Sequence, residues 1–206
     1  MTSSKFLGIT IQENLKWNHH VKEITTKISK YIGILSKVRH KLSASHLKLL
    51  YNAMILPYLT YCNIIWGNSA LTDLNKLHII QKKIIRIITN SPYRSHTTPL
   101  FYQLKLLKLQ DINTIQIAEF MYKIRHHLLP THFEGYFSQC SDTHSYPTRN
   151  AKNNFYVAQR NTELRSNTLR FAGPKIWNRL TENLKLSSSL SQFKHQINLQ
   201  TLLTYL

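Results

Sequence analysis

Residues 17–42, WNHHVKEITTKISKYIGILSKVRHKL, place Val21, Ile24, Ile28, Ile32, Leu35 and Val38 at spacings of three and four. At about 100° per residue these positions form a single apolar stripe, which predicts an amphipathic helix with one face turned to a core. Lys22, Lys30, Lys37 and Lys41 fall on the other side. The stretch therefore predicts a helix that packs through one face and presents cations on the other.

The same design recurs downstream. A helix from about residue 72 to 89 puts Leu74, Leu77, Ile80, Ile84, Ile85 and Ile88 inside and Lys76, Lys82, Lys83 and Arg86 outside. Gln81 projects into its apolar arc, where a buried amide satisfied by nearby backbone is the favoured reading over base recognition. Between the two helices, Ser43 and Ser45 are N-cap candidates for a helix through Leu47, Leu50, Tyr51 and Met54, which Pro57 ends or kinks. Residues 58–67, YLTYCNIIWG, are apolar enough to be buried. Thr97 or Thr98 can cap a short helix with Pro99 in its first turn. Asp111 can cap another, in which Ile112, Ile115, Phe120, Ile124 and Leu128 point inward and which Pro130 stops.

The flanks differ. Residues 5–11, KFLGITI, form a short β-prone segment. Residues 131–153 are rich in Ser, Thr, Asn and His and form the candidate linker. Beyond it, residues 154–158 and 168–172 are expected to pair as a small hairpin, Gly173 and Pro174 to punctuate, a short helical turn to carry Trp177, and Ser188 or Ser189 to cap a last helix with Leu190, Phe193, Ile197 and Leu202. The expectation is a mainly α protein: an N-terminal strand segment at 1–16, a helical domain at 17–130, a linker at 131–153 and a C-terminal hairpin-and-helix module at 154–206.

The chain carries 27 Lys and Arg against 9 Asp and Glu, for a net charge of +18. The excess is spread, with +11 over residues 1–103 and +7 over residues 104–206. Folded surface with that excess repels itself unless a polyanion neutralises it, which points to nucleic acid; a merely solvated basic surface is the plain alternative. Two cysteines, Cys62 and Cys140, are too few for a disulfide framework. The opening MTSSKFLGIT lacks an apolar signal core, and no apolar run reaches the roughly 18 residues of a membrane span. A nuclear or cytoplasmic, non-secreted protein with no membrane partner is expected.

Catalytic constellations are missing from the sequence pattern. None of the nine acids adjoins another, whereas polymerases and nucleases hold magnesium with convergent carboxylates. Cys140 and His144, with His126, His127 and His132 upstream, lack the paired cysteines of structural zinc. Neither a Gly-rich phosphate loop nor a nucleophile elbow is present. What remains is binding, through Lys and Arg on outer helix faces that contact phosphate and aromatic side chains that stack on unpaired bases.

Several blocks together resemble a known family. FLGI at 6–9 followed by LKWNHHV at 15–21, LYNAMILPYLTY at 50–61 with Trp66 and Gly67, Gln81, Lys82 and Arg86 in the second cationic helix, HSYPTR at 144–149, and GPKIWN at 173–178 with Ser189, Phe193 and Lys194 are similar in order and spacing to the region downstream of the catalytic palm in reverse transcriptases of non-LTR retrotransposons (LINE, jockey-like and CR1-like elements). The resemblance covers nearly the whole chain. It implies a fragment of an RNA-directed DNA polymerase: residues 1–16 a remnant of the strand leaving the palm, residues 17–130 a thumb-like domain, and the paired metal-binding aspartates located in an upstream palm that this chain lacks. It further implies magnesium for the parent polymerase and no cofactor in this chain. Partners would be RNA or an RNA–DNA hybrid or duplex, held at phosphates by Lys22, Lys30, Lys37, Lys41, Lys76, Lys82, Lys83 and Arg86, together with the parent's palm. No residue is expected to be catalytic. A domesticated helical scaffold that binds protein rather than nucleic acid is the alternative, and an autonomous polymerase would need carboxylates that the sequence does not pair.

Overall fold

A computed structural model describes residues 3–133, 135–140, 153–159 and 167–206. The expected HSYPTR loop at 144–149 lies outside the described residues. In chain order the elements are β1 (Ser3–Phe6), β2 (Ile9–Gln12), α1 (Asn18–Val38), α2 (Ala44–Met54), α3 (Leu56–Thr60), α4 (Asn63–Trp66), α5 (Leu71–Ile88), α6 (Thr98–Leu104), α7 (Leu109–Arg125), a 3-10 turn at Thr131–Phe133, α8 (Leu169–Asn178), α9 (Glu182–Lys185) and α10 (Leu190–Leu203). The fold is mainly α, as the periodicity predicts. The chain divides into two units, Met1–Asn113 with Thr201–Leu206, and Thr114–Gln200.

In the first unit the apolar stripes of α1 and α5 pack on each other in the most extensive helix–helix contact of the chain. Val21, Ile24, Ile28 and Leu35 from α1 meet a core that includes Leu74, Leu77, Ile84, Ile85 and Ile88 of α5. Each such side chain contributes about 2 kcal/mol by leaving water. Helix α2 adds Leu47 and Tyr51, and Pro57 sits in the first turn of α3, where its missing N–H costs nothing.

The segment at 5–11 is not one strand but most of a hairpin. Leu7 and Gly8 both have positive φ, 45° and 81°, and the strands around them pair antiparallel from Phe6↔Ile9 to Ser3↔Gln12. Two positive-φ residues in a two-residue loop are the signature of a turn whose twist matches its strands. The Tyr61 hydroxyl donates to the Leu7 carbonyl at 2.7 Å, holding a non-glycine residue in that conformation. An isolated strand would fray; here β2 seats on α1. Thr10 donates through its hydroxyl to Glu23 (2.9 Å) and through its N–H to His20 Nδ1 (3.3 Å), while Gln12 Oε1 accepts the His19 N–H (3.2 Å).

Residues 58–67 are only partly interior. Cys62 takes a left-handed φ of 48°, which splits the run into α3 and α4, buries Leu59, Asn63 and Trp66, and leaves Tyr61 and Ile65 exposed. Gly67 closes this corner: a Cβ there would lie 2.2 Å from Asn113 Nδ2 and 2.4 Å from Asn63 Oδ1. Asn113 Nδ2 instead donates to the Asn63 side chain (2.9 Å) and carbonyl (3.2 Å).

Two further sequence expectations change. Asp111 does not cap α7, which starts two residues earlier; its carboxylate accepts the Tyr205 hydroxyl, and the Tyr205 oxygen accepts the Lys108 N–H at 3.0 Å. Of the expected inward row of α7, Ile112 and Ile115 are buried and Phe120 and Ile124 half-buried; Ile117, Ala118, Met121 and Tyr122 are buried as well, while Leu128 lies past the helix and exposed. Burial around so much of the circumference blurs a single stripe.

In the second unit the expected C-terminal hairpin is absent. Residues 169–178 are helical, and Gly173 and Pro174 are part of that helix's buried face rather than punctuation. Gly173 is needed because a Cβ would meet Met121 Sδ at 2.7 Å. The strand-like segment finds other partners: Phe155 bridges to Gln139, and the Asn178 side-chain amide accepts the Phe155 N–H (3.0 Å) and donates to its carbonyl (2.8 Å). A side chain thereby supplies the pairing that a second strand would have given. Trp177 Nε1 donates to the Asn153 carbonyl at 2.8 Å. Ser189 does cap α10, accepting the Gln192 N–H at 3.2 Å, while Gln192 reaches back to the Ser188 N–H.

Gln81 is buried in the first unit with all of its amide capacity used. Its Nε2 donates to the Tyr51 hydroxyl and the Leu107 carbonyl, both at 2.9 Å; its Oε1 accepts the Leu109 N–H at 3.0 Å and lies 3.2 Å from His78 Nδ1. Replacing Gln81 by Leu keeps the volume and strands three buried polar partners, so unfolding in denaturant should show a loss of roughly 2–4 kcal/mol. A midpoint equal to wild type would remove the network from any account of stability.

Candidate nucleic-acid interface

The packing of α1 on α5 consumes both apolar stripes and turns the other face of each helix outward. On α1, Lys22, Lys30 and Lys37 are exposed and roughly opposite the buried row. Helix α1 stops at Val38, so Lys41 is exposed in the following turn rather than on the helix. On α5, Lys76 and Lys83 are exposed, whereas Lys82 and Arg86 are half-buried.

These cations differ in availability. Lys76 lies 3.4 Å from Asp73, but its side chain is 71% exposed, and an exposed pair of that kind leaves the ammonium open to another anion. Arg86 is engaged: its Nε donates to the Ser95 carbonyl at 3.0 Å and its guanidinium lies 5.9 Å from the Tyr93 ring centre. It pins the loop after α5. Lys22, Lys30, Lys37, Lys41, Lys76 and Lys83 therefore form the accessible part of the predicted set. Periodicity overlooks Lys27, exposed at the edge of the α1 face with its ammonium 5.8 Å from the Tyr58 ring centre. Tyr58 lies beyond Pro57, and no helical spacing in the sequence links the two. Ile79, also unmarked by the pattern, is 60% exposed between Lys76 and Lys83 on α5.

Among the described residues, no three His, Cys, Asp or Glu side chains gather as metal ligands. Glu134, Asp142, His144 and Glu163 are outside the described residues. Cys62 and Cys140 are both free thiols, and burial pushes the Cys140 thiol up from its ordinary pKa. Among the described residues no helix is long and apolar enough to cross a membrane.

Basic outer faces on an apolar two-helix core joined to a hairpin are thus what the described residues offer. Over about half its length, it is similar to RNA-directed DNA polymerases of non-LTR retrotransposons. The RNA-directed DNA polymerase from mobile element jockey of Drosophila funebris is 30% identical over 111 residues, 52% of this chain and 12% of that protein. The probable RNA-directed DNA polymerase from transposon X-element of Drosophila melanogaster is 31% identical over 113 residues, 53% of this chain and 12% of the relative. The probable RNA-directed DNA polymerase from transposon BS of Drosophila melanogaster is 25% identical over 129 residues, 61% and 14%. The matches thus take in only 12–14% of the length of these curated polymerases. No family model and no solved structure matches the chain.

Two histidines beside the faces carry a pH dependence. Burial lowers the pKa of His20, against the partial opposition of Glu23 and with help from Lys27 and Lys5. Burial also lowers His78, opposed by its bond to Gln81 and by Asp111 and reinforced by Lys82 and Lys108. Both imidazoles are therefore held neutral when folded, and the unfolded chain takes up protons first. Stability is fully present above the ordinary histidine value near 6.5 and is lost as pH falls through the lower folded values. The unfolding free energy from denaturant titration should fall from pH 7 to pH 5, by at most about 1.4 kcal/mol per pH unit for each histidine, and His20→Asn should reduce the slope. A free energy flat across that range would contradict the assigned neutral state.

Proposed function

We propose that this chain is a fragment of a retroelement RNA-directed DNA polymerase whose first unit grips nucleic acid as a polymerase thumb does, without catalysing synthesis itself. The observation that carries the reading is the pair of cationic outer faces on α1 and α5, in a chain of net charge +18 that is similar to RNA-directed DNA polymerases. The preferred partner is an RNA–DNA hybrid or duplex. Its A-form groove is recognised by shape and backbone, and dispersed lysines suit phosphate contacts that carry no sequence information. Magnesium and the reacting carboxylates belong, on this reading, to a palm elsewhere in the parent polymerase, in the nucleus or cytoplasm.

Each lysine that neutralises a phosphate releases a counterion, so binding should weaken steeply with salt. The test is anisotropy titration of a labelled RNA–DNA hybrid with the full chain and with a variant carrying Lys22→Glu, Lys30→Glu, Lys37→Glu, Lys76→Glu and Lys83→Glu. Affinity should fall at least tenfold at low salt, and the slope of log affinity against log salt should shrink by about 0.9 for each lost contact. Equal affinity of the two proteins at low salt would overturn the assignment of these faces. Saturable, salt-insensitive capture of a protein partner with no hybrid binding would instead favour the scaffold reading.

A further inference from the structure

The second unit holds a cavity of about 310 Å³ that the α1 and α5 faces do not involve. Its floor includes Phe133, Phe137 and Phe155, and Lys123, Arg125 and His127 also line it. None of the described residues lining it is acidic; Glu134, between Phe133 and Gly135 in sequence, is outside the described residues. Gly135 leaves one side open, since a Cβ there would meet nothing within 4 Å.

The aromatic floor is rigidly backed. Phe133 meets Phe120 edge-on at 5.6 Å between ring centres, Phe120 meets Phe137 at 6.4 Å, Phe137 meets Phe155 at 6.0 Å, and Phe155 meets the buried Trp177 at 6.0 Å. Rings locked in this way lose little freedom when a flat ligand stacks on them. Phe133 itself is 38% exposed, so part of the residue is open to a ligand.

An apolar aromatic surface flanked by three basic side chains suits a ligand that joins a flat ring to an anion. The volume lies at the small end of the roughly 300–1,000 Å³ of small-molecule sites, which is the scale of one nucleotide. A continuous duplex cannot present a base to such a cavity, because its bases are stacked and paired, whereas an unpaired nucleotide can. The geometry points to a subsite for a single unpaired nucleotide, its base on Phe133 and Phe137 and its phosphate on Lys123 and Arg125. The subsite stands on residues separate from the duplex grip and extends that reading to single-stranded nucleic acid.

The experiment is anisotropy titration of a short labelled oligothymidylate and of an RNA–DNA hybrid with the full chain and three variants, Phe133→Ala, Phe133→Tyr and Lys123→Gln. Phe133→Ala and Lys123→Gln should each weaken oligothymidylate binding about tenfold, on the order expected for losing one stack or one phosphate contact. Phe133→Tyr should keep the affinity, and Phe133→Ala should leave hybrid binding unchanged. An oligomer of the same length with abasic sites should bind wild type as weakly as oligothymidylate binds Phe133→Ala. Equal binding of the abasic and normal oligomers to wild type, or of oligothymidylate to wild type and Phe133→Ala, would overturn the subsite. Loss of hybrid binding on charge reversal in α1 and α5 bears only on the thumb reading, so the two proposals fail independently.

Discussion

Gln81 sets a condition that the first unit has to meet before it can pack. Its amide sits in the middle of the apolar stripe of α5, and an amide buried without partners costs several kcal/mol, more than a neighbouring isoleucine returns. The cost is offset only if Tyr51 from α2 and the backbone at Leu107 and Leu109 arrive together, since between them they use its two donors and share its acceptor. One side chain thus ties α2, α5 and the start of α7 to a single arrangement. Tyr51 carries the mark of that environment, its hydroxyl pushed up to about 12 by burial. The α1 stripe packs on α5 in the same core.

Charge follows from this packing. Once the apolar stripes of α1 and α5 face each other, the lysines opposite them have nowhere to go but outward, and their mutual repulsion is relieved by solvent or by a polyanion. Several of the described acids are occupied: Glu23 accepts from Thr10, Asp111 from Tyr205, Glu119 pairs with Lys194 at 3.0 Å, and Glu182 binds both Lys185 and Asn153. They stabilise local structure; on the outer face of α5, Asp73 lies 3.4 Å from the exposed Lys76.

The long helices were legible because their signal is local. Six apolar residues at helical spacing outvote everything else within a window such as 17–42, and Pro99 marks a helix start through its own fixed φ. Failures cluster where partners come from far along the chain. Leu7 adopts positive φ because Tyr61, 54 residues away, holds its carbonyl. Residues 168–172 look strand-like through Leu169 and Phe171, yet become helical because Gly173 fits against Met121 and Asn178 takes over the pairing of Phe155. For the candidate interface, the cation positions on α1 and α5 were readable, but the engagement of Arg86 with Ser95 was not. The aromatic cavity had no signature at all, since Lys123 and Phe155 lie 32 positions apart.

The sequence by itself determined that this is a basic, mainly helical chain with two amphipathic helices, because charge and period are properties of neighbouring residues. It also carried the likeness to retrotransposon RNA-directed DNA polymerases, which rests on blocks in order. Only the tertiary structure decided which polar groups are buried and paired, which cations stay free, and where aromatic rings leave a cavity. Those outcomes depend on contacts between residues tens of positions apart, and the free energy that selects them, desolvation against hydrogen bonding, exists only once the chain has folded.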